Sequence, residues 1–187
     1  MSEQSKSIAR KPLLTSRQVG IAAVFGGIAF AWRALGLVIP VAPPFVIDLR
    51  EAFLLIGAGA GGPIVGVTIG ILCALPSGLP ILDLYYYVVL SLFWCLIYKR
   101  IYRMRRFLRP IITYIYLWIV EAGPIYLVYI PVGDFIFHLW AWWPFYFTWM
   151  FSPGFQFIYL LIQVVALTVA WEIAPSFMEP VWEWRRK

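Results

Sequence analysis

The chain has 187 residues, of which 63% are hydrophobic and only 13% charged, and its mean hydropathy is +0.83. A soluble domain is nearer half apolar and a quarter charged, so this composition excludes a soluble globular protein and predicts an integral membrane protein. The length favours a single membrane domain over residues 1–187. The formal net charge of +6 is informative through its distribution along the chain.

Six apolar segments are candidates for membrane-spanning helices, each of which needs about 20 residues. In chain order they lie at about 18–38, 52–60, 63–79, 82–98, 110–130 and 155–173, and the second is marginal in length. We therefore predict an all-α polytopic bundle of six transmembrane helices over residues 18–174. A polar arm (1–17) precedes the bundle, and a tail (175–187) follows it.

Lys and Arg residues concentrate in three segments, which six spans would place on one side of the membrane. These segments are the N-terminal arm, the link KRIYRMRRFLRP after the fourth span, and the C-terminal tail. Of the 15 Lys and Arg residues, only Arg33 and Arg50 lie elsewhere. Because basic loops stay in the cytoplasm, we predict that both termini are cytoplasmic. Five or seven spans would place a basic segment on the opposite face.

Most ionisable side chains within the apolar part of the chain lie toward the predicted outer side. Arg33 lies in the outer third of the first span, Asp83 at the turn before the fourth, and Glu121 near the middle of the fifth. His138 lies in a Trp-rich outer loop. An ionisable group in hydrocarbon costs about 3 kcal/mol or more, so such groups usually face the bundle interior or a wet cavity.

The stretch FVIDLREAF (45–53) opens the second span with three charges. Asp48, with Glu51 three residues later, resembles a capping box and so predicts a helix start. A compatible interpretation is that this stretch forms one wall of an outward-facing polar pocket. Arg33 and Glu121 would then reach the pocket from neighbouring helices.

Glu121 begins the sequence Glu-Ala-Gly-Pro, in which Pro124 removes a backbone hydrogen bond and kinks the helix. An acid beside a broken turn at mid-membrane is typical of a ligand or ion site in transporters. The alternative is that Glu121 only pairs with Arg33 and ties two helices together. The lone histidine, His138, is more often structural in such a loop. No His, Cys or carboxylate cluster has metal-ligand spacing, so we predict neither a metal site nor a cofactor.

Small residues recur four positions apart in the first span, which places them on shared helix faces. Ala22 and Gly26 form one pair, and Ala23 and Gly27 form another. Such faces let a second helix approach closely in lipid. They indicate either packing within the chain or a docking face for another membrane subunit.

The chain resembles the substrate-binding S components of energy-coupling factor (ECF) transporters. The resemblance covers the first half best, through the polar arm, the small-residue first helix, the Pro-rich outer loop and the segment IDLREAFLLIGAGAGGPIVGVTIGIL (47–72). That segment is similar to the family's acidic start of helix two, its Gly-Pro turn and its Gly-spaced third helix. The second half is similar in layout, with six spans and inward termini.

The resemblance implies a prokaryotic plasma-membrane protein that is not an enzyme. It would bind a vitamin-like small molecule near the outer surface and leave ATP hydrolysis to its partners. The expected partners are a transmembrane coupling subunit, two ATPase subunits and the lipid bilayer, and no nucleic acid is expected among them. The docking positions that carry over are Ala22, Ala23, Gly26 and Gly27, although this chain has glycine where the family repeats alanine. The loop 40–48 would form part of a pocket lid.

Aromatic and acidic side chains dominate the predicted pocket, and one base accompanies them. The candidate substrate-binding residues are Arg33, Asp48, Glu51, Asp83, Tyr86, Glu121, Tyr126, His138 and Trp140. Stacking and cation–π contacts favour a thiamine-, riboflavin- or nucleobase-like ligand. Arg33 instead favours a carboxylate such as pantothenate or biotin. The alternative function is a non-catalytic structural or assembly subunit of a larger membrane complex, in which the outer charges would pair with one another.

Overall fold

The computed structural model of the chain describes residues 13–42, 45–137 and 156–182. These residues are predominantly helical, as predicted. The helices are α1 (Ser16–Ala34), α2 (Arg50–Gly61), α3 (Pro63–Ala74), α4 (Pro80–Arg103), α5 (Leu108–Val120), α6 (Tyr126–Phe137), α7 (Gln156–Ile173) and α8 (Pro175–Met178), with a π-helical turn at Glu121–Ile125 between α5 and α6.

A small β-hairpin connects α1 to α2, where the sequence indicated only a Pro-rich loop. Strand β1 (Ile39–Ala42) pairs antiparallel with β2 (Phe45–Ile47), with Ile39 opposite Ile47 and Pro40 opposite Val46. Both strands of a two-stranded sheet are edge strands, where the missing N–H of proline is tolerated. The predicted lid segment therefore has regular structure of its own.

Three of the described helical segments are long and apolar enough to cross a membrane. They are Pro80–Arg103 with 24 residues, Leu108–Phe135 with 28 and Gln156–Ile173 with 18. These match the fourth, fifth and sixth predicted spans. Helices α2 and α3 have 12 residues each and rise about 18 Å, which is short of the roughly 30 Å of hydrocarbon in a bilayer.

Helix α2 lies at the centre of the bundle and contacts α1, α3, α4, α7 and α8. Ten of its twelve residues are buried. Its alternating Gly and Ala residues allow neighbouring side chains to pack closely, since a Cβ added to Gly59 would lie 2.5 Å from the Tyr98 ring. Indole donors also reach its backbone, because Trp94 Nε1 donates to Leu55 O at 2.8 Å and Trp182 Nε1 donates to Gly59 O at 2.9 Å.

The parts of the chain that adjoin the three basic segments meet at one end of the bundle. Arg17, at the start of α1, donates to Phe177 O at 2.8 Å. Tyr98, near the end of α4, donates through its hydroxyl to Met178 O at 2.7 Å. Gln18 Nε2 donates to Gly61 O at 2.8 Å, so the turn between α2 and α3 lies at this end as well.

We expect Gly62→Ala to destabilise the chain by about 1–3 kcal/mol, since Gly62 has a left-handed φ of 94° and non-glycine residues are strained there. An added Cβ would also lie 2.4 Å from Trp182 Cγ. The matched control is Gly20→Ala in α1, where an added Cβ meets nothing within 4 Å. Unfolding in mixed micelles, followed by circular dichroism, measures both variants. Equal stability of the two would contradict this account of the turn.

Candidate functional site

Arg50 is buried at the start of α2 and joins four structural elements. Its Nε lies 2.7 Å from Asp48 Oδ2, and its Nη2 lies 3.6 Å from Asp83 Oδ2 at the start of α4. Its Nη1 donates to the backbone carbonyl of Cys73 at the end of α3. Tyr129 in α6 donates to Asp83 Oδ1 at 2.9 Å. Arg50 therefore ties α2 to α3 and α4, and through Asp83 to α6.

The capping box predicted for Asp48 and Glu51 is wrong. The N-cap residue of α2 is Leu49, and Asp48 precedes it. The Asp48 side chain still accepts a hydrogen bond from Arg50 N at 3.1 Å, which satisfies one of the free N–H groups at the start of α2. The Glu51 carboxylate instead accepts hydrogen bonds from Tyr159 Oη and Gln163 Nε2 of α7 across the bundle interior.

Glu121 is fully buried at the π-helical turn. Its Oε2 accepts a hydrogen bond from Gln156 Nε2 at the start of α7, while its Oε1 has no hydrogen-bond partner among the described residues. Of the two alternatives for Glu121, the ion pair with Arg33 is not formed. Glu51 and Glu121 interact electrostatically, and neither forms an ion pair within the described part of the chain.

Tyrosine rings pack beside the two glutamates. The Tyr86 ring centroid lies 5.1 Å from that of Tyr87, 5.6 Å from Tyr126 and 6.0 Å from Tyr129. Tyr86 and Tyr126, both predicted as site residues, are buried and interact electrostatically with Glu51 and Glu121. We call Glu51, Glu121, Gln156, Gln163, Tyr86, Tyr126 and Tyr159 the glutamate–tyrosine cluster.

The sequence analysis did not predict the polar face of α7, although the spacing of its polar residues indicates it. Gln156, Tyr159 and Gln163 are all buried and lie at positions i, i+3 and i+7 of an apolar helix, which places them on one face. Polar residues that share a face of a membrane helix are expected to point into the protein. Arg50 was also left out of the predicted set, although it is the base that pairs with Asp48 and Asp83.

Among the described residues, the predicted base Arg33 forms no hydrogen bond or ion pair with the cluster. Arg33 is half-buried in the last turn of α1, and its side chain has no hydrogen bond or ion pair with the described residues. His138 and Trp140 lie outside the described residues. The structure thus brings Asp48, Glu51, Asp83, Tyr86, Glu121 and Tyr126 together and leaves Arg33 outside their hydrogen-bond network.

The small-residue positions of α1 divide between two environments. Ala22 and Gly26 are buried, and a Cβ added to Gly26 would lie 2.4 Å from Leu72 Cδ1 of α3. Ala23 and Gly27 are exposed, and an added Cβ on Gly27 would meet nothing within 4 Å. The first pair therefore packs within the chain, and the second lies on an open face.

Arg50→Met is expected to destabilise the chain by about 3–5 kcal/mol, since it leaves the buried Asp48 and the partly buried Asp83 without their base. Arg106→Met is the matched control, because the Arg106–Glu172 pair is exposed and exposed pairs contribute about 0–1 kcal/mol. Unfolding in mixed micelles compares the two. A loss no larger for Arg50→Met than for Arg106→Met would show that the buried network is not what holds α2.

Buried carboxylates, amide groups and tyrosine rings can hold a polar ligand, and no group of three His, Cys, Asp or Glu suited to a metal ion is present in residues 13–42, 45–137 and 156–182. Comparisons of the chain with protein-family models, with curated proteins and with solved structures found no match.

Proposed function

We propose that the chain is the membrane-embedded, substrate-binding subunit of an ECF-type importer in a prokaryotic plasma membrane. It crosses the bilayer six times, with both termini in the cytoplasm, and binds a vitamin-like small molecule without catalysing a reaction. The observation that carries this proposal is the glutamate–tyrosine cluster. Its two buried acids are held by neutral side chains, and one of them has an oxygen without a partner.

The fold supports the proposed topology. The segments next to the three basic stretches meet at the end of the bundle where α2 ends. Asp48, Arg50 and Asp83 lie at the opposite end of α2, together with the hairpin. Since basic segments stay in the cytoplasm, this arrangement supports an outer position for the charged start of α2. A nutrient-binding site of an importer would open there.

The exposed pair Ala23 and Gly27 supports a docking face for the coupling subunit. Small side chains on an exposed face let a partner helix approach closely and pack without a gap. Ala22 and Gly26 do not contribute to this face, since α3 covers them. The proposed interface is therefore narrower than the four positions that the family resemblance implied.

A structural or assembly subunit is the second candidate, and the Arg50 network favours it. Arg50, Asp48 and Asp83 satisfy one another and join helices, as purely structural charges would. Glu51 and Glu121 argue for a binding role, because a structural protein has little reason to retain two buried acids without a base. The binding role accounts for both sets of charges.

The test of this proposal is a mild-detergent affinity purification of the chain from its native membranes, with partners identified by mass spectrometry. We expect two ATPase subunits and one transmembrane coupling subunit. Recovery of a different fixed assembly without ATPases would replace the importer with the structural alternative.

Gly27→Trp should leave folding and ligand binding unchanged but reduce uptake by about tenfold or more, because a bulky ring separates packed helices. Uptake is measured in cells with the radiolabelled compound that copurifies with the chain. Ala23→Trp is expected to behave in the same way. The matched variant Gly26→Trp should instead lower the yield of folded protein, since Leu72 occupies that side. Normal uptake by both Gly27→Trp and Ala23→Trp would rule out this docking face.

A further inference from the structure

We infer that the glutamate–tyrosine cluster takes an organic cation, namely a flat nitrogenous ring or amidine that carries positive charge and N–H donors. This inference rests on the proposed binding function and names its substrate class. The sequence alone left open whether the ligand is a cation or a carboxylate. The contacts of Glu51, Glu121 and Arg50 favour the cation.

The carboxyl groups around the cluster outnumber the bases. Within the described residues, the starts of α2 and α4 and the cluster together contain four carboxyl groups, which belong to Asp48, Glu51, Asp83 and Glu121, and one base, Arg50. Arg50 is already paired with Asp48 and Asp83, so Glu51 and Glu121 have no cation there. An ionised carboxylate buried without a cation is strongly unfavourable, so the neutral acid is favoured until a cation binds. A positively charged ligand would stabilise the ionised form of these two acids.

The hydrogen bonds of the cluster leave several buried polar atoms of the described chain without a partner. The amide nitrogens of Gln156 and Gln163 donate to Glu121 and Glu51, which leaves the amide oxygens as acceptors. Gln156 Oε1, Gln163 Oε1, Glu121 Oε1 and the Tyr86 hydroxyl are all buried without a partner among the described residues. Buried polar atoms are normally hydrogen-bonded. The Tyr86 hydroxyl has one proton to donate, so the remaining acceptors call for a ligand that brings donors.

Two buried tyrosine rings form an aromatic wall of the cluster. Tyr86 and Tyr126 are buried beside both carboxylates, with ring centroids 5.6 Å apart. Tyrosine faces attract cations and stack against flat rings. A compact hydrated ion would not use these faces. The aromatic wall therefore favours an organic cation over an inorganic one.

Arg33 does not create a preference for a ligand that carries a carboxylate. It has no hydrogen bond or ion pair with the cluster, and Arg50 is already occupied by two aspartates. A ligand carboxylate would have to approach Glu51 and Glu121, and no unpaired base belongs to their hydrogen-bond network within the described residues. The arrangement therefore disfavours pantothenate- or biotin-like acids.

Three probes of the same shape and different charge test the inference: benzamidine (cationic), benzamide (neutral) and benzoate (anionic). The full chain is purified in a non-ionic detergent, and its thermal unfolding is followed by tryptophan fluorescence over a concentration series of each probe. We expect benzamidine alone to raise the Tm. An equal concentration of sodium chloride is the control for ionic strength and for inorganic cations.

Two variants show where the probe binds. Glu121→Gln keeps the shape of the side chain and should weaken benzamidine by about tenfold or more, the effect of losing one charge-assisted contact. Glu51→Gln provides a second measurement if Glu121→Gln does not fold. The matched control is Glu172→Gln on α7, whose carboxylate is exposed; it should bind benzamidine as the wild type does.

Several results would overturn the inference. They are equal binding of benzamide, preferential binding of benzoate, a Tm rise from sodium chloride as large as that from benzamidine, binding of none of the probes, or unchanged benzamidine affinity in both glutamate variants. Since the assay needs no partner subunit, it is independent of the affinity purification. If benzamidine binds but no ATPase subunits are recovered, the ligand class stands and the importer proposal fails. If ATPase subunits are recovered but benzamidine is not preferred, the importer proposal stands and the ligand class fails.

Discussion

The structure depends on one constraint, namely that the central helix α2 must satisfy its polar groups without water. Ten of its twelve residues are buried, and its first turn carries a guanidinium and a carboxylate. Arg50 meets this constraint through Asp48, Asp83 and the carbonyl of Cys73, and each contact also joins α2 to its surroundings. A buried polar atom without a partner is costly. The need to give Arg50 hydrogen-bond and ion-pair partners therefore determines how α2, α3 and α4 are placed at this end of the bundle.

The acids of this region fall into two groups with different physical roles. Asp48 and Asp83 share a guanidinium and hold helices together. Glu51 and Glu121 are buried in the bundle and receive hydrogen bonds from the uncharged Tyr159, Gln163 and Gln156. The first group therefore has a base of its own within the described chain, whereas the second is held there by neutral donors alone.

Much of the helical layout could be predicted from the sequence, because apolar runs between Pro and Gly are a strong signal. The short second helix, the broken turn at Glu121 and the charged start of α2 were all predicted. The alternative in which Glu121 pairs with Arg33 is not realised among the described residues, since residue order does not show which way a half-buried Arg33 turns. The polar face of α7 was missed because three polar residues in an apolar run hardly alter its hydropathy. The hairpin was missed because its prolines indicate an irregular loop.

The π-helical turn determines which residues of α6 face the cluster. In Glu121–Ile125 the chain accommodates one extra residue, and Tyr126 N bonds to Glu121 O five positions back. One residue of an α-helix corresponds to a rotation of about 100°. With ordinary α-helical winding through Pro124, everything downstream would be rotated by about that angle, and Tyr126 and Tyr129 would turn away from Tyr86. The orientation of half a helix is thus set by the winding of a single turn, so an insertion or deletion there would act on every residue of α6 at once.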